Sequence, residues 1–157
     1  MITIEKSIKH MAWSNQEIFS AFAQLPEDIY QLKAADGEWN IGRILRHFIQ
    51  AAEWYCFLLA NRTWTDVPSI TSSEELERAR VTLGELDSLL IAAVNVDDAV
   101  ITYQDDDGTE KTTTRSMVLA QAITHTAEHK GQLATILRVH GIDFDLDQFD
   151  LWSYEAR

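Results

Sequence analysis

Apolar residues recur with helical spacing over most of the chain. Within residues 4–25 the stripe is Ile4, Ile8, Met11, Ile18, Phe22 and Leu25, one face of an amphipathic helix that Pro26 ends. Asn15 falls on this stripe, so its amide needs a partner inside the protein and reads as a structural group tying two helices together. The turn at Asp36, Gly37, Glu38, Trp39 and Asn40 offers Asn40 as N-cap of a second helix reaching about Asn61. A loop over residues 62–71 follows. Ser72 with Glu75 then forms a capping box for a third helix carrying Leu76, Ala79, Leu83, Leu86, Leu90 and Ala93, with Gly84 inside it at a cost of about 1 kcal/mol relative to Ala. The β-prone stretches 100–103 and 111–114 flank Asp105, Asp106, Asp107 and Gly108, which predicts a small hairpin around a solvated turn; the spacing of a calcium-binding EF-hand loop is absent. A fourth helix runs from about Ser116 to His140, with Gly141 as its stop. The tail, residues 143–157, carries Phe144, Leu146, Phe149, Leu151, Trp152 and Tyr154. It is too apolar to be free and is expected to pack back on the helices.

Composition adds limits. A length of 157 residues suits one domain, 1–157, and 46% hydrophobic residues with five Trp and two Pro argue for a packed, helical protein. No apolar run is long enough for a membrane span, and the first ten residues lack a secretory core, so a cytoplasmic location is expected. Cys56, the only cysteine, excludes an intrachain disulfide and reads as a packing residue. The net charge of −12 argues against nucleic acid as a partner. There is no phosphate-binding loop, dinucleotide fingerprint or serine-nucleophile elbow.

The chemistry-bearing stretch is the run His-Thr-Ala-Glu-His-Lys-Gly-Gln-Leu at 125–133. Histidines four apart on a helix lie on one face and can grip one metal ion, and a site used for chemistry takes a third protein ligand. His47 is the candidate. With Ile44, Ala51, Trp54 and Leu58 all within about 60° of it, His47 shares the apolar face of the second helix. On the fourth helix Val118, Gln121, His129, Gln132 and Ile136 lie within about 40° of His125, a polar patch between apolar ends whose groups need partners. Gly131, in mid-helix, points to close approach by another helix or a ligand. His140 closes its helix and His10 lies off the inward stripe, so neither joins the set. Glu128, about 60° from His125, is either a general base toward a metal-bound water or a solvated carboxylate on the helix shoulder.

His47 within Ile-Leu-Arg-His-Phe, the 125–133 run, Trp13-Ser14-Asn15 and the closing Asp-Leu-Trp-Ser-Tyr at 150–154 together resemble the DinB-like superfamily of metalloproteins over nearly the whole chain. The resemblance implies an all-α four-helix bundle with helices two and three parallel and a long crossover between them, assembled as a homodimer. It implies His47, His125 and His129 as ligands of a divalent metal, nickel, zinc or iron, in a cleft open at one end. Relatives include enzymes that use low-molecular-weight thiols, mycothiol-dependent maleylpyruvate isomerases and bacillithiol transferases among them. The family often has Arg where Lys130 stands, and the role of Glu128 does not carry over.

Three neutral imidazoles leave the full charge on the ion, enough to bring a bound water to a pKa of about 7 or to hold a thiol as thiolate. The expected function is metal-dependent chemistry on a small molecule, by thiol transfer or hydrolysis. Gln121 and Gln132 are then substrate or ligand-orienting contacts, and Trp54 and the tail aromatics line the cleft. The alternatives are a metal-bearing bundle that binds a small ligand or partner without catalysis, for example in a stress response, and a purely structural bundle whose histidines bond to one another and to the glutamines.

Overall fold

The computed structural model describes residues 2–65, 67–105 and 107–155. Four long helices, α1 (Ile4–Phe22), α2 (Ile41–Ala60), α3 (Ser73–Ala93) and α4 (Arg115–Val139), share one apolar core. An antiparallel pair, β1 (Val100–Gln104) and β2 (Glu110–Thr114), precedes α4, and a short α5 (Leu151–Glu155) closes the described chain. The helices begin where a side-chain oxygen can take an orphan backbone N–H: Thr3, Asn40, Ser72 and Thr114 each accept from the amide three residues on. α2 stops where Asn61 turns left-handed, φ 51°, and α4 stops before Gly141, φ 71°. The capping box of α3 is offset by one residue, since the Glu75 carboxylate takes the amide and hydroxyl of Thr71. In the hairpin turn, Gly108 N–H closes on the Asp105 carbonyl at 2.8 Å; Asp106 lies outside the described residues.

Contacts along the helices give their directions. Gly42, near the start of α2, faces Ile70 just before α3, and Cys56, near the end of α2, donates to the Leu86 carbonyl far along α3. The two helices therefore run parallel. α4 runs against α2, because Tyr55 meets Gln121 and His125 while His47 meets His129. α1 also opposes α2, with Phe19 on Phe48 and both Met11 and Asn15 beside Tyr55.

A parallel pair requires a crossover as long as the helix. The 20 residues of α2 measure about 30 Å, and the dozen residues at 61–72 reach at most about 40 Å, so the connection is nearly taut. Three features fasten it to the bundle. The buried Glu53 carboxylate accepts from the Thr65 amide at 2.8 Å and from the Thr65 hydroxyl. Val67 and Ile70 are buried. The Ile70 carbonyl sits where a side chain at Gly42 would be, 2.1 Å from an ideal Cβ.

A polar tie crosses the core between α1, α3 and α4. Asn15 Nδ2 donates to Asp87 Oδ2 at 3.0 Å, and the Lys130 ammonium donates to the Ser14 hydroxyl. Burial raises the Asp87 carboxyl to about 7 and lowers Lys130 to about 8, and the charge of each opposes the shift of the other. Asn15 thus does tie two helices. The tail packs back as well: Phe144 lies edge-on to Phe22, His10 Nε2–H donates to the Phe149 carbonyl at 2.9 Å, and Tyr154 packs on Trp13. Cys56 is fully buried, and burial pushes its thiol up to about 12, which suits packing and not reactivity. No helix among the described residues is long and apolar enough to cross a membrane.

Two outcomes follow from these contacts. Gly42→Ala drives a methyl group into the Ile70 carbonyl and is expected to cost about 1–3 kcal/mol in urea denaturation; an unchanged midpoint would show that the crossover is not fixed there. Lys130→Met leaves Asp87 buried without its cation, so its folded-state pKa rises further above the unfolded value. A carboxyl with that shift contributes stability at low pH that is lost as pH rises through the folded pKa. The variant is therefore expected to lose about 3–5 kcal/mol near pH 7.5, between the two folded-state values, where both groups are mainly charged in the wild type, and markedly less near pH 5.5, read from denaturation midpoints at the two pH values.

Candidate metal centre

The three histidines meet where α2 and α4 face each other. His125 and His129 project from one side of α4, one turn apart, and His47 from the opposing side of α2. Their Nε2 atoms converge, with His47 to His125 at 3.2 Å and His125 to His129 at 3.1 Å, and all the ligand atoms lie within 4.8 Å of one another. His129 is buried and the other two are half-buried.

Imidazole chemistry tests whether a cation fits. Gln132 Oε1 accepts from His129 Nδ1–H at 2.8 Å, which leaves the Nε2 lone pair of His129 aimed into the cluster. Each ring nitrogen has one in-plane site, so a single N–H can bridge one pair of the three and leaves a third lone pair with no donor. A divalent cation accepts all three, and zinc at about 2.1 Å from each nitrogen needs them roughly 3–4 Å apart. The carbonyl behind His129 is the usual partner of a metal-ligating imidazole. Protonation is also disfavoured: burial, then the charges of His129, His125 and Arg43, bring His47 down to about 4, and burial and His129 lower His125. Both shifts favour the neutral imidazole that a cation requires of its ligand.

The other residues singled out from the sequence have separate places. Gln132, as above, holds His129. Gln121 reaches the cluster indirectly, through a hydrogen bond to Tyr55, whose ring stands edge-on to His125 at 6.2 Å; burial pushes the Tyr55 hydroxyl up to about 12. Both glutamines are solvent-exposed, while Val118, His129 and Ile136 on the same face are buried, so the face centred on His125 is the edge of the core face of α4. The buried stripe extends to Leu119, Ala122, Thr126, Leu133 and Leu137, and the two amides lie at its solvent edge, bonded to Tyr55 and to His129. Glu128 is exposed beside His129, where its charge acts on His125. Gly131 has nothing within 4 Å of where a side chain would start; no helix approaches it, and it borders a cavity instead. Trp54 stacks with Phe57 and Trp64 and meets Tyr103 edge-on, and it lines neither cavity beside the histidines. His140 caps α4 and bonds the Lys33 carbonyl.

Two cavities open onto the cluster. One, of about 610 Å³, lies over the first turns of α2 and includes Arg43, Arg46, His47 and Gln50. The other, of about 690 Å³, lies along α4 and includes Glu38, Glu128, His129 and Gln132. Trp39 lines both: its ring stacks parallel to His129 and stands edge-on to His47, 5.0 Å between centroids, and the Arg43 guanidinium covers it at 4.3 Å. Sequence reasoning passed over Trp39. Its signal was a large aromatic in an otherwise polar turn, immediately before an N-cap.

Four antiparallel and parallel helices around three converging imidazoles define a class, and comparison with known proteins gives the same answer. The DinB family profile matches residues 1–151, and the chain belongs to the DinB family. It is 22% identical over 146 residues to Protein DinB of Bacillus subtilis (strain 168), covering 87% of this chain and 85% of that protein. The crystal structure of a DinB-like protein from Bacillus cereus ATCC 10987 superposes with a TM-score of 0.68 at 17% identity, over 90% of this chain and 93% of that one, and so shares the fold.

Each of His47→Ala, His125→Ala and His129→Ala is expected to abolish stoichiometric binding of zinc or nickel, measured by elemental analysis of protein purified without an immobilised-metal column and then incubated with the ion. Full stoichiometry in any one variant would remove that histidine from the set.

Proposed function

We propose that this protein is a divalent-metal-dependent enzyme that acts on a small molecule at the three-histidine centre, by transfer of a thiol or by hydrolysis. The observation that carries the reading is the convergence of three Nε2 atoms, more lone pairs than their own hydrogens can satisfy, between two cavities large enough for small molecules. When bound, a zinc, nickel or iron ion supplies Lewis acidity that favours the deprotonated form of a water or a thiol at neutral pH.

The chain's own residues do the rest. Gln132 fixes the tautomer and ring plane of His129, Gln50 hydrogen-bonds the His47 ring, and Tyr55 with Gln121 backs His125. Glu128, in the same cavity lining as His129, is the proposed acceptor of the proton that a thiol or water gives up. Trp39 and Phe48 pack against His129 and limit water on that side.

The test is turnover by metal-loaded protein. A panel of low-molecular-weight thiols with electrophilic acceptors, and a panel of simple esters and amides, is expected to give a rate that falls at least about a hundredfold in His125→Ala and about tenfold or more in Glu128→Gln. Activity that survives loss of the histidines would overturn the mechanism. Stoichiometric metal with saturable ligand binding and no turnover on either panel would assign the protein to the non-catalytic binders.

A further inference from the structure

We propose that the cavity over the first turns of α2 is an oxyanion subsite, in which Arg43 and Arg46 hold a carboxylate or phosphate group of the small molecule that approaches the histidines. The inference deepens the reading of the three-histidine centre as a reactive site, and rests on it for its role.

The first observation is charge. The chain carries 25 acidic against 13 basic residues, yet the lining of this cavity includes two arginines and no aspartate or glutamate. Arg62, Arg78 and Arg80 each pair with a glutamate, whereas Arg115 and Arg138 make no ion pair among the described residues, so it is the carboxylate-free lining of the cavity that sets Arg43 and Arg46 apart. Among the described residues Arg43 and Arg46 make no ion pair. The Arg43 guanidinium lies on the face of Trp39, which leaves its in-plane N–H donors for another acceptor. Arg46 Nε is buried with no hydrogen-bond partner, and an unmet buried donor on a cation is costly unless something arrives to accept from it.

The second observation is placement. Arg43 stands three and four residues before Arg46 and His47, and Gln50 four and three residues after them, so the four form one patch on the side of α2 that faces the cavity. An anion held by the arginines lies one helical turn from the ligand imidazole of His47. The N-terminal end of the 20-residue α2 adds its positive pole at the same place. The opposite wall is the crossover, through Ser69, Ile70 and Thr71, and it too brings no carboxylate into the cavity. Planar bidentate recognition by guanidinium suits carboxylate and phosphate alike, and both are the shared chemistry proposed.

Isothermal titration of chelator-dialysed, metal-free protein with inorganic phosphate and with succinate tests the subsite apart from the metal. Saturable binding of at least one probe is expected, and the tighter probe identifies the group. Arg46→Gln and Arg43→Gln are expected to weaken it at least about tenfold, and Arg46→Lys to weaken it less. Circular dichroism melts on each variant confirm that the fold is kept. His125→Ala, which removes the metal site, is expected to retain the binding, so loss of metal and loss of anion are read separately. No saturable binding of either probe to the wild type, or equal affinity in both glutamine variants, would overturn the proposal.

Discussion

The site depends on α2 and α3 running the same way. Two parallel neighbours leave the chain at the wrong end of the bundle, and a dozen residues must carry it back about 30 Å with little slack. A taut strap of that kind has to be fastened, because its backbone cannot satisfy itself with turns. Glu53 accepts the amide and hydroxyl of Thr65, Ile70 is buried, and the absence of a side chain at Gly42 lets the Ile70 carbonyl touch the helix. The same strap walls the arginine-lined cavity. The connection that the topology demands therefore also builds half of the approach to His47.

The second fixed point is the rotation of α4. His129 and Lys130 are adjacent and point about 100° apart around the helix. One turns toward α2 and the other into the core, to Ser14 on α1 and the Asp87 charge on α3. Any rotation that moved His129 away from its partners would also withdraw a buried ammonium from the groups that stabilise it. The core cation thus sets the ligand geometry without touching a ligand. It also accounts for lysine at this position, since a single hydroxyl and one facing carboxylate ask for a compact point charge and not a planar fork.

Much of this was legible in the sequence. Asn40, Ser72 and Gly141 mark helix ends by local hydrogen bonding, and the Asp-Gly turn with its flanking β-prone stretches marks the hairpin, so these elements stand close to where they were expected. The histidine set rests on spacing along two helices, which short-range periodicity captures well. Periodicity did not give the rotation of each helix. His47 and His125 sit on the shoulder between core and solvent, where an apolar stripe and a cleft-facing stripe overlap, and a projection cannot separate them. Trp54 illustrates the limit: it shares the angular position of His47 but lies two turns along α2, under the hairpin and among other aromatics. Glu53, Gly42 and Trp39 matter through contacts with distant segments, which no local pattern encodes.

Trp39 has one more consequence. Its indole stands as a partition, with the arginine-lined cavity on the His47 side and the cavity of Glu128 and Gln132 on the His129 side. A molecule seated in one compartment leaves the other face of the imidazole cluster accessible. One aromatic ring, set by a turn outside the helices, thereby divides the approach to three imidazoles into two openings of comparable size but unlike charge, one lined by arginines and the other by glutamates.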